Sequence, residues 1–179
     1  MSNQVYSNES RKFYALPGMN AYAMSGIVVI ASSTGNAPVT VPTAGSFLFT
    51  NSGSVVDDSS LVELAASSLS ILKEGVYSVK LVYAIENTEN TVTNDVDYAV
   101  FMRLTRSASP FNGIIVDQNR ARIPAPGSSR NGSTTREGSV NYNGYLKAGD
   151  VLSFVVENFA GTGLTILSNS TQLLVNKIY

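Results

Sequence analysis

Two carboxylate pairs lead the residues that could do chemistry, Asp57-Asp58 and Asp95-x-Asp97. A glycosidase needs two carboxyls facing one cleft, about 5–9 Å apart. Neighbouring aspartates in loops more commonly form turns or cap helices. Asn94, Asp95 and Asp97 also carry the oxygen ligands that a hard cation takes, but the twelve-residue spacing of the Ca²⁺ loop is absent. Gly161-Thr162-Gly163 is followed by no helical pattern, so it reads as a hairpin turn rather than a dinucleotide site. Arg120, Arg122 and Arg130 lie around a Pro/Gly-rich stretch, where they could meet phosphate or a partner's acids.

Absences narrow the chemistry further. The 179-residue chain has no histidine and no cysteine. Ser-His-Asp and Cys-His nucleophilic catalysis are therefore impossible as usually built. Disulfides, thiolate zinc sites and histidine-ligated metal centres go with them. The side chain that most often titrates between pH 5 and 8 is missing, which removes a histidine switch. The expectation is a non-enzymatic protein with no cofactor and no metal.

Net charge is −1, yet the charges are segregated. Eight acids and two bases lie between Asp57 and Asp97, whereas Arg103 to Arg136 holds six arginines and one acid, Asp117. Solvated loops of opposite sign account for this, and complementary patches between subunits are the sharper alternative. Without a basic balance or an aromatic-basic stripe, nucleic-acid binding is not expected. No stretch approaches the ~18 apolar residues of a membrane helix. The opening Met-Ser-Asn-Gln lacks the basic start and apolar run of a signal peptide.

The elements that must position these residues read as strands. Gly75 to Glu86 alternates strictly, with Tyr77, Val79, Leu81, Tyr83 and Ile85 on one face. That is the pattern of a half-buried strand, because successive side chains point to opposite sides. Ile27 to Ile30 is a continuous apolar run suited to a buried strand. Val39 to Val41, stopped by Pro42, suits an edge strand. Ser46 to Thr50, Tyr98 to Leu104, Ile114 to Val116, Thr134 to Leu146, Leu152 to Val156, Leu164 to Ile166 and Leu174 to Ile178 supply further strands. Residues 59–72 carry Leu61, Leu64, Ala65, Leu69 and Leu72 at helical spacing, against the serines 67, 68 and 70. They read as a helical turn or loop and then a strand from Ser68. Asn87 to Asn94 reads as a hairpin loop, and Ile123 to Gly132 as the longest exposed loop. Roughly nine or ten strands result, with no βα alternation, which makes a β-sandwich or barrel.

Three segments in this order carry a resemblance. Leu72-Lys-Glu-Gly-Val-Tyr-Ser-Val resembles the turn into a strand of the tumour necrosis factor-like fold, shared with the globular head of complement's first component. Gly144-Tyr-Leu-Lys-Ala-Gly-Asp-Val-Leu-Ser-Phe-Val-Val-Glu-Asn is similar to the Gly-Asp strand of that fold, and Ser170-Thr-Gln-Leu-Leu-Val-Asn-Lys-Ile to its closing strand. The resemblance implies an all-β jelly-roll sandwich of two antiparallel sheets over residues 25–179, behind an extended N-terminal arm at 1–24. It also implies a homotrimer, with Tyr77, Tyr83, Tyr98, Phe101, Tyr142, Tyr145 and Phe154 as aromatics available to its subunit interface. For each of these, an intramolecular core position is the plainer alternative. The chain lacks the tryptophan, cysteine, collagen stalk and membrane anchor of the animal family, so cytokine or complement function does not carry over.

Joined to the polar arm, this suggests a virion structural protein of a phage or similar virus: a capsid-decorating or head-fibre trimer made in the host cytoplasm. The arm would dock on a shell protein through Tyr6, Arg11, Lys12, Phe13 and Tyr14. A single jelly-roll major coat protein, or a receptor- or glycan-binding knob with loops 87–97 and 124–133, are the alternatives.

Overall fold

The computed structural model describes residues 27–32, 39–41, 44–47, 55–56, 60–65, 67–88, 95–107, 113–125, 134–159, 163–167 and 170–178. Before residue 57 the backbone alone is described, Phe47 excepted. The arm at 1–24, with Tyr6, Arg11, Lys12, Phe13 and Tyr14, lies outside these residues.

Gly75–Asn87 forms the strand around which the first sheet is built, here β7. Preceding it are β1 (Ile27–Ser32), β2 (Val39–Val41), β3 (Ala44–Ser46), β4 (Val55–Val56), β5 (Val62–Ala65) and β6 (Ser68–Ile71). After it come β8 (Val96–Thr105), β9 (Ile114–Ile123), β10 (Thr135–Leu146), β11 (Val151–Asn158), β12 (Leu164–Ile166) and β13 (Gln172–Lys177). In the first sheet β10 takes one edge of β7, while β13 and β12 share the other and pass the sheet on to β1, β4 and β2. The second sheet runs β5-β6-β11-β8-β9, with β3 on β11. Every pairing is antiparallel. The result is the expected all-β sandwich of two sheets.

The zigzag of β7 is in phase with the core: Tyr77, Val79, Leu81, Tyr83 and Ile85 are all fully buried. Facing them from the second sheet are Tyr98, Val100 and Met102 on β8, Leu152, Phe154 and Val156 on β11, and Leu69 and Ile71 on β6. Each such side chain contributes about 1.5–3 kcal/mol on leaving water.

Four expectations need correction. Among the described residues, 60–65 and 67–72 hold no helical turn; β5 and β6 pair as a hairpin, Val62 opposite Ile71. Their leucines fit either period, and pairing of β6 with β11 decides the matter. Phe47, expected within a strand at Ser46–Thr50, lies just past the end of β3 at Ser46, and residues 48–50 fall outside the described residues. The strand begun at Ile114 runs on to Ile123, so Arg120 and Arg122 stand on a strand rather than in a loop. Thirteen strands, not nine or ten, appear among the described residues.

Candidate functional site

The outward face of the second sheet gathers the arginines. Pairing of β8 with β9 sets Asp97 opposite Arg122, Ala99 opposite Arg120 and Phe101 opposite Gln118. Arg122 grips Asp97 with both arms of its guanidinium, Nε to Oδ1 at 2.7 Å and Nη2 to Oδ2 at 2.8 Å. This pairing holds the Asp97 carboxyl below the usual carboxylate range. Arg122 Nη1 lies 4.0 Å from Asp95, whose Oδ1 accepts the Ala125 N–H at 3.0 Å. The Asp95-x-Asp97 pair is thus held by structural partners, and no cluster of potential metal ligands occurs among the described residues. Further along β8, Arg103 reaches Glu157 of the neighbouring β11 at 2.9 Å with its guanidinium 5.4 Å from the Phe101 ring centre. Arg120 differs. Its guanidinium sits 5.7 Å from the centre of the Phe159 ring, and it has no acid partner among the described residues. Phe159 is 55% exposed, though its own N–H is fixed to the Asp97 carbonyl at 3.0 Å. Asp57, Asp58, Arg130 and Gly161-Thr162 fall outside the described residues.

A second feature is the seam where β9, the edge of one sheet, meets β10, the edge of the other. Polar side chains close it. Asp117 Oδ2 accepts the Asn141 N–H at 2.6 Å, and Asn119 Nδ2 donates to the Ser139 carbonyl at 3.4 Å. An edge strand offers unpaired backbone groups to any passing strand, and these contacts engage some of them. Below the polar stretch, Ile114 and Ile115 are 50% and 48% exposed, and Tyr145 is 47% exposed.

The Gly149-Asp150 turn is a structural lock. Gly149 has φ +86°, a conformation that side chains with a Cβ rarely adopt. Asp150 donates its N–H to the Lys147 carbonyl and accepts the Lys147 N–H on Oδ2, both at 3.0 Å. The same turn joins β6, with Gly149 N–H on the Ile71 carbonyl and Ile71 N–H on the Asp150 carbonyl.

The seven aromatics offered to a subunit interface divide sharply. Tyr77, Tyr83, Tyr98 and Phe154 belong to the core of a single chain and are essentially inaccessible, so they have no surface for a second copy. Tyr83 packs edge-on to Tyr98 with ring centres 6.5 Å apart, and burial pushes its phenol well above the ordinary tyrosine range. Phe101 points outward but is roofed by Arg103. Tyr142 is half-buried, its hydroxyl donating to the Tyr145 carbonyl at 3.0 Å. Only Tyr145 presents a large exposed face.

Against solved structures, the chain is similar to the Eiger tumour necrosis factor of S. frugiperda, with a TM-score of 0.59 over 86% of this chain and 94% of that one. The fold is the tumour necrosis factor-like jelly roll. Identity is 13%, so the likeness is one of architecture. No protein-family description and no curated protein matches the chain. Within this jelly roll no helix among the described residues is long and apolar enough to cross a membrane.

Sequence reasoning missed the Arg120–Phe159 stack and the exposed isoleucines. The first depends on β8–β9 pairing, which carries Asp97 and the chain near Phe159 to the β9 arginines. The second had a signal: Ile114 and Ile115 are adjacent, and adjacent strand residues point to opposite faces, so one core cannot bury both.

Proposed function

We propose that this chain is a non-enzymatic structural module that assembles into a homotrimer, a capsid-decorating or head-fibre protein of a virion. The observation that carries the assembly is the exposed trio Ile114, Ile115 and Tyr145 at the lower seam. Several large apolar side chains left in water at one end of a molecule mark a contact surface. Tyr145 lies opposite Val76 on the outward face of the first sheet, where Val82 and Leu174 are also half-buried. Seam and face are two different surfaces of one molecule. Packing one against the other is a head-to-tail contact, which closes as a ring when the rotation allows. Three copies is the number that the tumour necrosis factor resemblance implies. In this reading the arm at residues 1–24 docks on the shell and the jelly roll projects from it.

Light scattering on the purified chain tests the assembly. A mass about three times 19.0 kDa is expected. Ile115→Glu should reduce it to that of one chain with the β-sheet spectrum unchanged. A monomeric wild-type chain would overturn the reading. Deleting residues 2–20 should leave a folded trimer that no longer sediments with shells; retained binding would remove the docking role of the arm.

A further inference from the structure

The outward face of the first sheet carries a cation at its middle. Lys80 is exposed there, with Asn141 of β10 across from it on one side and Leu174 of β13 on the other. Ser78 and Val82 stand before and after it on the same face of β7. All four neighbours are neutral. The acid of this face that comes nearest along the strands is Glu137, opposite Ala84, about 13 Å further up the sheet. Lys80 forms no ion pair among the described residues.

The seam holds the converse. Asp117 is the one acid between Arg103 and Arg136, yet the arginines that pair within the chain take other acids. Arg103 takes Glu157, Arg106 takes Asp150, and Arg122 takes Asp95 and Asp97. The Asp117 carboxylate accepts backbone N–H groups instead, from Gln118 at 2.9 Å and Asn141 at 2.6 Å. A carboxylate has about four acceptor sites, so about two are left for a cation.

We propose that Lys80 of one copy pairs with Asp117 of the next, and that this ion pair sets the register of the head-to-tail contact. The inference rests on the trimer proposed above and specifies its chemistry. Packing the seam of one copy on the face of another takes water from both charges. A charge that loses water without gaining a partner is costly, and neither of these has an ionic partner in its own chain among the described residues. Each supplies what the other lacks. Ile115 stands two residues from Asp117 on β9, and Leu174 stands directly across from Lys80. The contact therefore has an apolar half and a charged half side by side. Apolar surfaces can slide over one another, whereas opposite charges favour one alignment and like charges penalise the others. Desolvation offsets much of the attraction, so the pair acts on register more than on strength. A closed head-to-tail ring repeats it at every contact.

The test is light scattering on the full chain over a dilution series. Wild type is expected at about three times 19.0 kDa. Lys80→Glu, at an exposed strand position, should give the mass of one chain with the β-sheet spectrum unchanged. Lys80→Ala and Asp117→Asn should each raise the concentration of half-dissociation at least about tenfold, because the loss recurs at every contact of the ring. The side-chain amide in Asp117→Asn still has an oxygen to accept the Asn141 N–H, so the seam stays closed. The two substitutions together should cost no more than either alone, since one missing partner already abolishes the pair. Lys80→Glu combined with Asp117→Lys should return the trimer. A trimer in Lys80→Glu, or additive losses in the double variant, would overturn the pair and leave the trimer standing. A monomeric wild type would overturn both.

Discussion

Strands β7 and β9 are both long and both alternate, yet they do opposite work. On β7 the inward positions are Tyr77, Val79, Leu81, Tyr83 and Ile85, and the strand has neighbours on both edges. On β9 the positions opposite the inward residues of β8 are Asp117, Asn119, Ala121 and Ile123, and large apolar residues stand exposed at its start. The difference follows from place. A central strand has a full layer of side chains opposite it, so apolar residues gain there. An edge strand at a seam faces the backbone of β10 instead, and there polar side chains are rewarded for engaging its N–H and C=O groups. The central strand specifies the fold, and the edge strand is free to carry surfaces for partners.

The largest effect is expected where β7 meets the core. Leu81→Ala should cost about 2–5 kcal/mol, the lost transfer energy plus the cavity left behind. Chemical denaturation would show it as a lower midpoint at unchanged slope. A cost under about 1 kcal/mol would mean that β7 is not the centre of the packing.

Gly138→Ala probes the joint between the two strands. A Cβ at Gly138 would lie 2.5 Å from the Tyr83 hydroxyl, 2.7 Å from its ring and 3.0 Å from Asn119 Nδ2. Tyr83 cannot retreat, because Phe47 and Tyr98 pack against it at 5.8 and 6.5 Å. Overpacking of this kind costs about 1–3 kcal/mol. A neutral substitution would show that the ring moves more freely than its packing allows.

How much of this was legible in the residues follows the same division. The zigzag of β7 names its own buried face, and Gly149-Asp150 names its own turn, because local rules govern both. The β5–β6 hairpin was hidden by leucines that suit a helical period as well as a strand, and only the neighbouring β11 resolves them. On β9 the rule inverts: apolar residues mark the exposed stretch and polar ones the joint, so reading hydrophobicity alone stops the strand at Val116. The aromatics offered to an interface divide between core and surface for a related reason. Tyrosine and phenylalanine types do not say which side of a sheet is inside, whereas pairing register does. The Asp97–Arg122 pair joins residues that meet only because β8 and β9 are in register.

Asp117→Ala should have a smaller effect than either core change, about 0.5–1.5 kcal/mol. The carboxylate accepts the Asn141 N–H at 2.6 Å and also the Gln118 N–H at 2.9 Å, but water can replace it at this exposed joint. Faster amide exchange at Asn141, with exchange on β7 unchanged, would place the loss at the edge. Equal acceleration on β7 would show that the seam and the core open together.

The smallest expected effect lies on the exposed face, and pH gives its sign. Pairing with Arg122 lowers the Asp97 carboxyl from its ordinary value of 3.8. A depressed carboxyl means that the folded chain holds the charged form more tightly than the unfolded one does. The stabilisation is therefore present above about pH 4 and disappears as pH falls through the lower folded value. Asp97→Asn should leave stability near neutrality almost unaltered, because ion pairs this open to water contribute little. It should flatten the decline measured between about pH 4 and pH 2 relative to wild type. An identical acid limb in the two proteins would show that Arg122 and Asp97 do not hold each other in solution.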